Sequence, residues 1–162
     1  MAAVDYFLKI DGIPGESADA KHKDEIEVLS YSFGETQSGT MAFGGGGGAG
    51  KVQMQDFHFM MHANKASPKL FLACATGDHI PKAILFARKA GKGQQEYAKV
   101  TLTDILISSY QTNGEASANG LAFDSIGLAF TAIEMEYKAQ NADGSLSPAT
   151  KAKYNLKESS HQ

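Results

Sequence analysis

Apolar and polar residues alternate along most of this 162-residue chain, and that alternation limits the folds it can adopt. Every second position of the opening segment is apolar, at Val4, Tyr6, Leu8 and Ile10. A period of two places such residues on one face of a half-buried β-strand. The same pattern returns in three later segments, 83–88, 97–110 and 121–137. The sequence therefore predicts a mainly β protein.

Two further strands, predicted at 25–33 and 52–61, lose the phase of the alternation halfway along. The first changes face between Val28 and Leu29, and the second between Met54 and Phe57. Such a change indicates either a bulge or a strand that is buried on both faces. Gly127, inside the long segment 121–137, marks a bend or bulge of the same kind.

One short helix of about nine residues interrupts the strands. Ser67 is a good N-cap, Pro68 suits the first helical position, and Gly77 follows the last periodic residue. The apolar positions at helical spacing are Leu70, Phe71, Ala73 and Cys74. One helix among about seven or more strands indicates a barrel or sandwich with the helix packed on its outside.

Composition excludes several classes of protein. Lysine and arginine number 15 against 18 aspartate and glutamate residues, and Arg88 is the only arginine, so a nucleic-acid-binding surface is not predicted. Cys74 is the only cysteine, which excludes an internal disulfide and a cysteine-based zinc site. No signal peptide is recognisable, and no apolar run approaches the ~20 residues that span a bilayer.

A glycine-rich run at 44–50 nearly matches a phosphate-binding loop. Gly45, Gly50 and Lys51 have the required spacing, but Val52 replaces the hydroxyl residue that would contact Mg²⁺. A strand is predicted after the run, whereas a phosphate loop leads into a helix N-terminus. We therefore expect Lys51 not to bind a nucleoside triphosphate and interpret the run as a long flexible projection.

The remaining chemistry-bearing residues predict neither a catalytic nor a metal site. His58 and His62 lie four residues apart in a strand, about 13 Å, too far to share a metal. We interpret His22, His79 and His161 as structural or solvated histidines. Cys74 is interpreted as a small core residue, and no hydrolase motif is present. We predict that the chain is not an enzyme and takes no cofactor.

Charge is unevenly divided along the chain. Residues 1–40 carry eight acidic and three basic residues, whereas residues 41–100 carry three acidic and eight basic ones. Segregated charge favours head-to-tail contacts between copies that close by rotation. The other interpretation is a chance distribution over a solvated surface.

A series of short segments, taken in order and with their spacing, forms a specific pattern over nearly the whole chain: 15–17, 22, 25–34, 37–41, 44–52, 55–57, 67–70, 73–77, 88–91, 96–97 and 107–110. In these segments the chain resembles the Hcp family, the haemolysin-coregulated proteins of bacterial type VI secretion systems. The C-terminal part beyond Asn141 fits the pattern less clearly.

The resemblance implies a compact β-barrel of two sheets with one flanking helix and a long glycine-rich loop at 38–51. It implies hexameric rings that stack into a tube, contact a spike protein and a sheath, and hold effector proteins in the lumen. Leu29 and Ser32 would face that lumen; if Ser32 instead lay under the barrel wall, a larger residue there would overpack the core. The loop that reaches the adjacent ring would include Ser38, Gly39, Thr40, Met41, Gly44, Gly45, Gly46, Gly47, Gly48, Gly50 and Lys51.

Further expectations concern organisation and location. We predict a single domain over 1–162 with a disordered tail at 159–162, and no direct membrane insertion or nucleic-acid partner. The resemblance implies a protein made in the cytoplasm of a Gram-negative bacterium and secreted without a signal peptide. Two alternatives stay open: a monomeric export chaperone or adaptor that binds effectors, and a hydrolase or nucleotide-binding enzyme that uses the glycine-rich loop.

Overall fold

Strands dominate the fold, as the alternation predicts. The computed structural model describes residues 4–37, 52–90, 93–158 and 160–161. Its elements, in chain order, are β1 Val4–Ile10, β2 Ile26–Val28, β3 Ser30–Ser32, β4 Glu35–Gln37, β5 Val52–Met54, β6 Phe57–His62, α1 Ser67–Thr76, β7 His79–Lys89, β8 Glu96–Asn113, β9 Phe123–Tyr137, β10 Thr150–Asn155 and β11 Ser160–His161. The predicted glycine-rich loop at 38–51 lies outside the described residues.

Nine strands form one antiparallel sheet that curls into a nearly closed barrel. Its main path runs β11-β10-β9-β8-β7-β1-β2. Strand β9 pairs with β8 on one edge, while its other edge pairs with β6 over its first half and with β10 over its second. Strand β6 also pairs with β3, and β4 and β5 form a separate two-stranded ribbon. The mainly β, barrel-like fold with one short helix is confirmed.

Both losses of phase are breaks at which a strand changes its neighbour. Strand β2 pairs with β1, whereas β3, which follows after Leu29, pairs with β6. In the second segment, β5 pairs with β4 and β6 pairs with β3 and β9, with Gln55 and Asp56 between them. Gly127 also lies at an irregularity, because the register between β8 and β9 shifts between Ile107 and Ser109, and Ser109 pairs with Gly127.

The inside of the barrel is a continuous apolar core. Its largest fully buried side chains are Phe57, Phe59, Leu8, Ile26, Met61, Leu70, Leu102, Ile105, Ile107, Ile126 and Leu128. Leu70 and Ala73 attach α1 to this core, and half-buried Cys74 packs against it, as its interpretation as a small core residue requires.

The ends of α1 confirm two of the three predicted signals. Pro68 lies in the first turn, and Gly77 ends the helix at φ 68° with its N–H donating to the Ala73 carbonyl. Ser67 is not the N-cap. That position is Ala66, and the Ser67 hydroxyl instead donates to Asp124 Oδ2 at 2.5 Å, because the helix start packs beside β9.

The C-terminal region forms more structure than its polar sequence indicates. A turn occurs around Asp143 and Gly144, the latter at φ 89°. Strand β10 then pairs with β9 from Thr150 to Asn155, and β11 pairs with β10 where the sequence predicts a disordered tail. The backbone hydrogen bonds of the ladder do not depend on side-chain type, so both strands form here without an alternating apolar face.

Candidate functional site

The two residues expected to face a lumen both lie on the outside of the barrel. Leu29 is 47% exposed, and its N–H donates to the Met60 carbonyl at 2.8 Å. Ser32 is exposed in β3, directly opposite His58 of β6. The alternative, that Ser32 is packed under the barrel wall, is therefore wrong: the buried neighbours in these strands are Phe57 and Phe59.

The cross-strand register assigns Ser32 to a wider surface, which we call the serine face. Directly paired residues on neighbouring strands share a face of a sheet. The members of this face are Ser30, Ser32, His58, Met60, Ser109, Gln111, Ser125 and Gly127. The face carries small hydroxyl groups with one imidazole, one amide and one thioether, and Leu29 lies next to Ser30 in the chain.

The centre of the serine face is tightly packed around Gly127. A Cβ atom there would lie 2.5 Å from Ser109 Oγ, 2.9 Å from Ser108 Oγ and 3.2 Å from His58 Cε1. Glycine lets these side chains lie close together over β9, and Ser108 in turn donates to Asp56 Oδ2 at 2.6 Å. A side chain larger than hydrogen at position 127 would therefore collide with both serine hydroxyl groups.

The serine face places several hydroxyl groups near one imidazole. Within the described ranges, no serine of this face is hydrogen-bonded to His58, so no nucleophile and base are paired there. Those ranges also contain no cluster of three or more metal-ligating side chains, and none of their helices is long and apolar enough to cross a membrane. Uncharged hydroxyl groups of this kind form adaptable, weak contacts with another protein surface.

A second polar cluster lies on another part of the outer surface of the barrel. There residues 11–25, the outer loop, fold over β1 and β7. His22 is 3% exposed and stacks on Phe7 at 4.4 Å between ring centroids. Its Nδ1 lies 3.0 Å from Glu25 Oε1, and its Nε2 lies 2.6 Å from Glu96 Oε1. The imidazole therefore lies between two carboxyl groups, one from the outer loop and one from β8.

Arg88 holds the middle of the outer loop, at Asp19. Its Nη2 donates to Asp19 Oδ2 at 2.8 Å and to Asp5 Oδ2 at 3.3 Å, and its guanidinium lies 4.8 Å from the centre of the Phe7 ring. The hydrogen bond from Arg88 lowers the pKa of Asp19 to about 2, with help from two backbone amides of the outer loop. The single arginine of the chain is thus structural.

The lowered pKa of Asp19 predicts a loss of stability in acid. The folded state favours ionised Asp19, so this stabilisation is complete well above the ordinary value of 3.8 and disappears as the pH falls towards about 2. We expect the free energy of unfolding to decline in this window, measured by urea unfolding at a series of pH values. Asp19→Asn should be less stable than wild type at pH 6 and should show a shallower decline. Parallel curves for the two proteins would contradict the assignment.

The glycine-rich segment remains a prediction in its central part. The ribbon that leads into and out of it is described, and Gln37 pairs with Val52 at its end. Strand β5 begins directly after Lys51, which confirms the expected strand where a phosphate loop would require a helix. Ser38, Gly39, Thr40, Met41, Gly44, Gly45, Gly46, Gly47, Gly48, Gly50 and Lys51 lie outside the described residues.

The sequence showed His22 only as a structural or solvated residue, and it did not reveal the carboxylates around it. Glu96 lies 74 positions away along the chain and is brought to His22 by the pairing of β7 with β8. The available signal was Phe7, an apolar residue at a position where the alternation of β1 expects a polar one. An apolar residue on the outward face of a strand indicates that another segment covers it.

The barrel-like sheet and its single helix define a known class of secretion protein. A family model described as type VI secretion system effector, Hcp, matches residues 7–137. Protein hcp1 of Pseudomonas aeruginosa is 45% identical over 143 residues, 88% of each chain. Hcp1 from Salmonella typhimurium is 38% identical, with a TM-score of 0.83 over 99% of this chain and 100% of that one. The structure of a type six secretion system protein gives 27% identity and a TM-score of 0.92 over the same shares. The chain belongs to the Hcp family of type VI secretion system proteins.

Proposed function

We propose that this chain forms hexameric rings that stack into the tube of a type VI secretion system, and that the tube lumen holds effector proteins. Membership of the Hcp family and the high structural similarity support the assignment to this machine. The observation that carries the cargo role is the exposure of Leu29 and Ser32 on one uncharged surface, the serine face.

Six copies of the serine face around a ring would bind an effector more strongly than one copy does, because several weak contacts would act together. A single hydroxyl surface binds a folded protein poorly, but repetition raises the effective concentration of binding groups. The members of this face are uncharged, and the carboxylate beside its centre, Asp56, accepts a hydrogen bond from Ser108. Stacking of one ring on the next would use the segment that joins β4 to β5. This glycine-rich loop, 38–51, would reach the adjacent ring.

Ser32→Gln tests the cargo role. The larger side chain projects from an exposed position, so we expect unchanged thermal melting and an unchanged ring near six times 17.2 kDa by light scattering. Retention of a co-expressed effector should fall at least about fivefold, because each of the six copies adds bulk to the face. Thr150→Gln, on exposed β10 and away from the serine face, is the control and should retain the effector. Equal retention by both variants would remove Ser32 from the cargo surface.

The alternative function, a monomeric effector-binding export chaperone, uses the same face without a ring. The two are separated by the mass of the free protein. A species near the mass of one chain at micromolar concentration would favour the chaperone, and rings with a central hole in negative-stain images would favour the tube. Spike and sheath proteins are the further partners that the tube function requires. We further infer that the chain is one domain, is made in the cytoplasm of a Gram-negative bacterium, and leaves the cell with the tube.

A further inference from the structure

Two exposed apolar surfaces of the chain lie outside the serine face. The first, the helix patch, consists of Phe71 and Leu72 on α1, which are 59% and 57% exposed. The opposite side of the helix, at Leu70 and Ala73, is buried in the core, so the helix patch is not needed to attach α1. Two large apolar side chains side by side on a surface helix indicate a contact with another surface.

The second surface, the apolar groove, lies between the β4–β5 ribbon and the strands β9 and β10. It is a depression of about 610 Å³. Its apolar lining consists of Phe33, Val52, Met54, Ile133, Met135 and Tyr154. Met135 is 51% exposed, so the groove is open in a single copy.

One copy cannot fill its own groove with its own helix patch. Phe71 lies 6.2 Å from the ring of Tyr110, and Tyr110 pairs with Ile126 of β9. Ile133, in the groove, is seven residues further along the same strand, about 23 Å at the usual rise of a strand. A contact that joins two different patches on identical chains is heterologous, and such contacts form closed rings when the rotation allows it.

Charge complementarity indicates that the partner is a second copy. Lys69 is the only charged residue of α1 and is exposed beside the helix patch. Glu35 is exposed on the rim of the groove and forms no ion pair with any residue in the described ranges. The other charged residue of the groove, Lys153, is the cross-strand partner of Glu134 on β9. A helix patch placed in the groove of a neighbour would bring Lys69 to Glu35, and neither forms an ion pair among the residues that the structure describes.

We propose that Phe71 and Leu72 of one copy dock in the apolar groove of the next copy, with Lys69 facing Glu35. This contact rests on the proposed ring and identifies a surface that holds it together laterally. Burial of two large apolar side chains supplies the affinity, and the ion pair selects the orientation.

Complementary variants test the contact. The double variant Phe71→Ala with Leu72→Ala removes the patch, and Met135→Glu places a charge in the groove; all three positions are exposed, so each chain should stay folded by circular dichroism. We expect the concentration for half-assembly to rise at least about tenfold for each, equivalent to 1.4 kcal/mol. Leu121→Ala is the control, because Leu121 is also 57% exposed but lies outside both surfaces.

Mixing gives the most specific result. The patch-deficient chain keeps its groove and the groove-deficient chain keeps its patch, so each is expected to be monomeric alone while their mixture forms a species of twice the chain mass. Lys69→Glu and Glu35→Lys should each weaken assembly, and the chain that carries both should recover it. Wild-type rings together with unaltered assembly of all these variants would overturn the contact while leaving the ring intact. A monomeric wild type would instead contradict the proposed function.

Discussion

Gly15→Ala should lower the free energy of unfolding by about 3 kcal/mol, at the upper end of the usual cost of overpacking. A Cβ atom at this position would lie 2.5 Å from the Glu25 carbonyl oxygen and 2.7 Å from Ile26 Cα. Both are backbone atoms at the start of β2, so no side-chain rotation can relieve the clash. The outer loop must then separate from β2.

Separation would break the hydrogen bonds that close the outer loop. Gly15 N–H donates to the Asp24 carbonyl at 2.8 Å, and Ser17 N–H donates to the Glu25 carbonyl at 3.0 Å. Gly114→Ala is a matched control, because nothing lies within 4 Å of its Cβ position; its stability should change by less than about 0.5 kcal/mol. Urea unfolding of both variants at one protein concentration measures the difference, and equal midpoints would show that the loop accommodates the methyl group.

The turn at Gly15 illustrates how much local sequence can predict. Pro14 and Gly15 mark a turn from their chemistry alone, but the reason that only glycine fits is Glu25, ten positions later. The main strands and the end of α1 were predictable for the same reason, because alternation and an αL glycine act within one element. Features that depend on contact with a second element could not be predicted from the local sequence.

Ser67 shows the limit at the helix start. Serine before Pro68 is a strong local signal for an N-cap, yet Asp124, 57 positions away, accepts the hydrogen bond of its hydroxyl. The Ser67 hydroxyl donates to this buried carboxylate and accepts a hydrogen bond from the Asn64 N–H at 3.0 Å, so it is not used by the helix amides. A local window of sequence does not contain Asp124. Strand β10 was not predicted because its side chains do not alternate between apolar and polar. Its pairing with β9 is made by backbone groups, which the pattern of side chains does not reveal.

The candidate site also has one part that was predictable from the sequence and one part that was not. Resemblance to a family suggested Leu29 and Ser32, and the break in phase between β2 and β3 gave an independent sign that this segment is unusual. The neighbours that make it a surface, His58 and Ser125 among them, follow from register, which is fixed by pairing between strands distant in sequence. The apolar groove likewise joins residues from four strands.

His22 offers the second large effect, since the buried imidazole links the outer loop to β8. His22→Phe should keep the stacked contact with Phe7, now 4.4 Å between centroids, but can donate no hydrogen bond. Glu25 is only 11% exposed and would lose its partner in a poorly hydrated place. Removing one member of such a buried pair typically costs about 3 kcal/mol or more, and we expect a loss of that size in urea unfolding.

A double-mutant cycle separates the ion pair from the packing. In the His22→Phe background, Glu25→Gln should recover part of the lost stability, because the neutral amide no longer brings an unpaired charge into the barrel wall; we expect a coupling free energy of at least about 1 kcal/mol between positions 22 and 25. Glu96 is 39% exposed and can return to water, so Glu96→Gln should couple more weakly to His22→Phe. Additive effects at positions 22 and 25 would mean that the contact between His22 and Glu25 contributes nothing to folding, and additive effects at positions 22 and 96 would mean the same for Glu96.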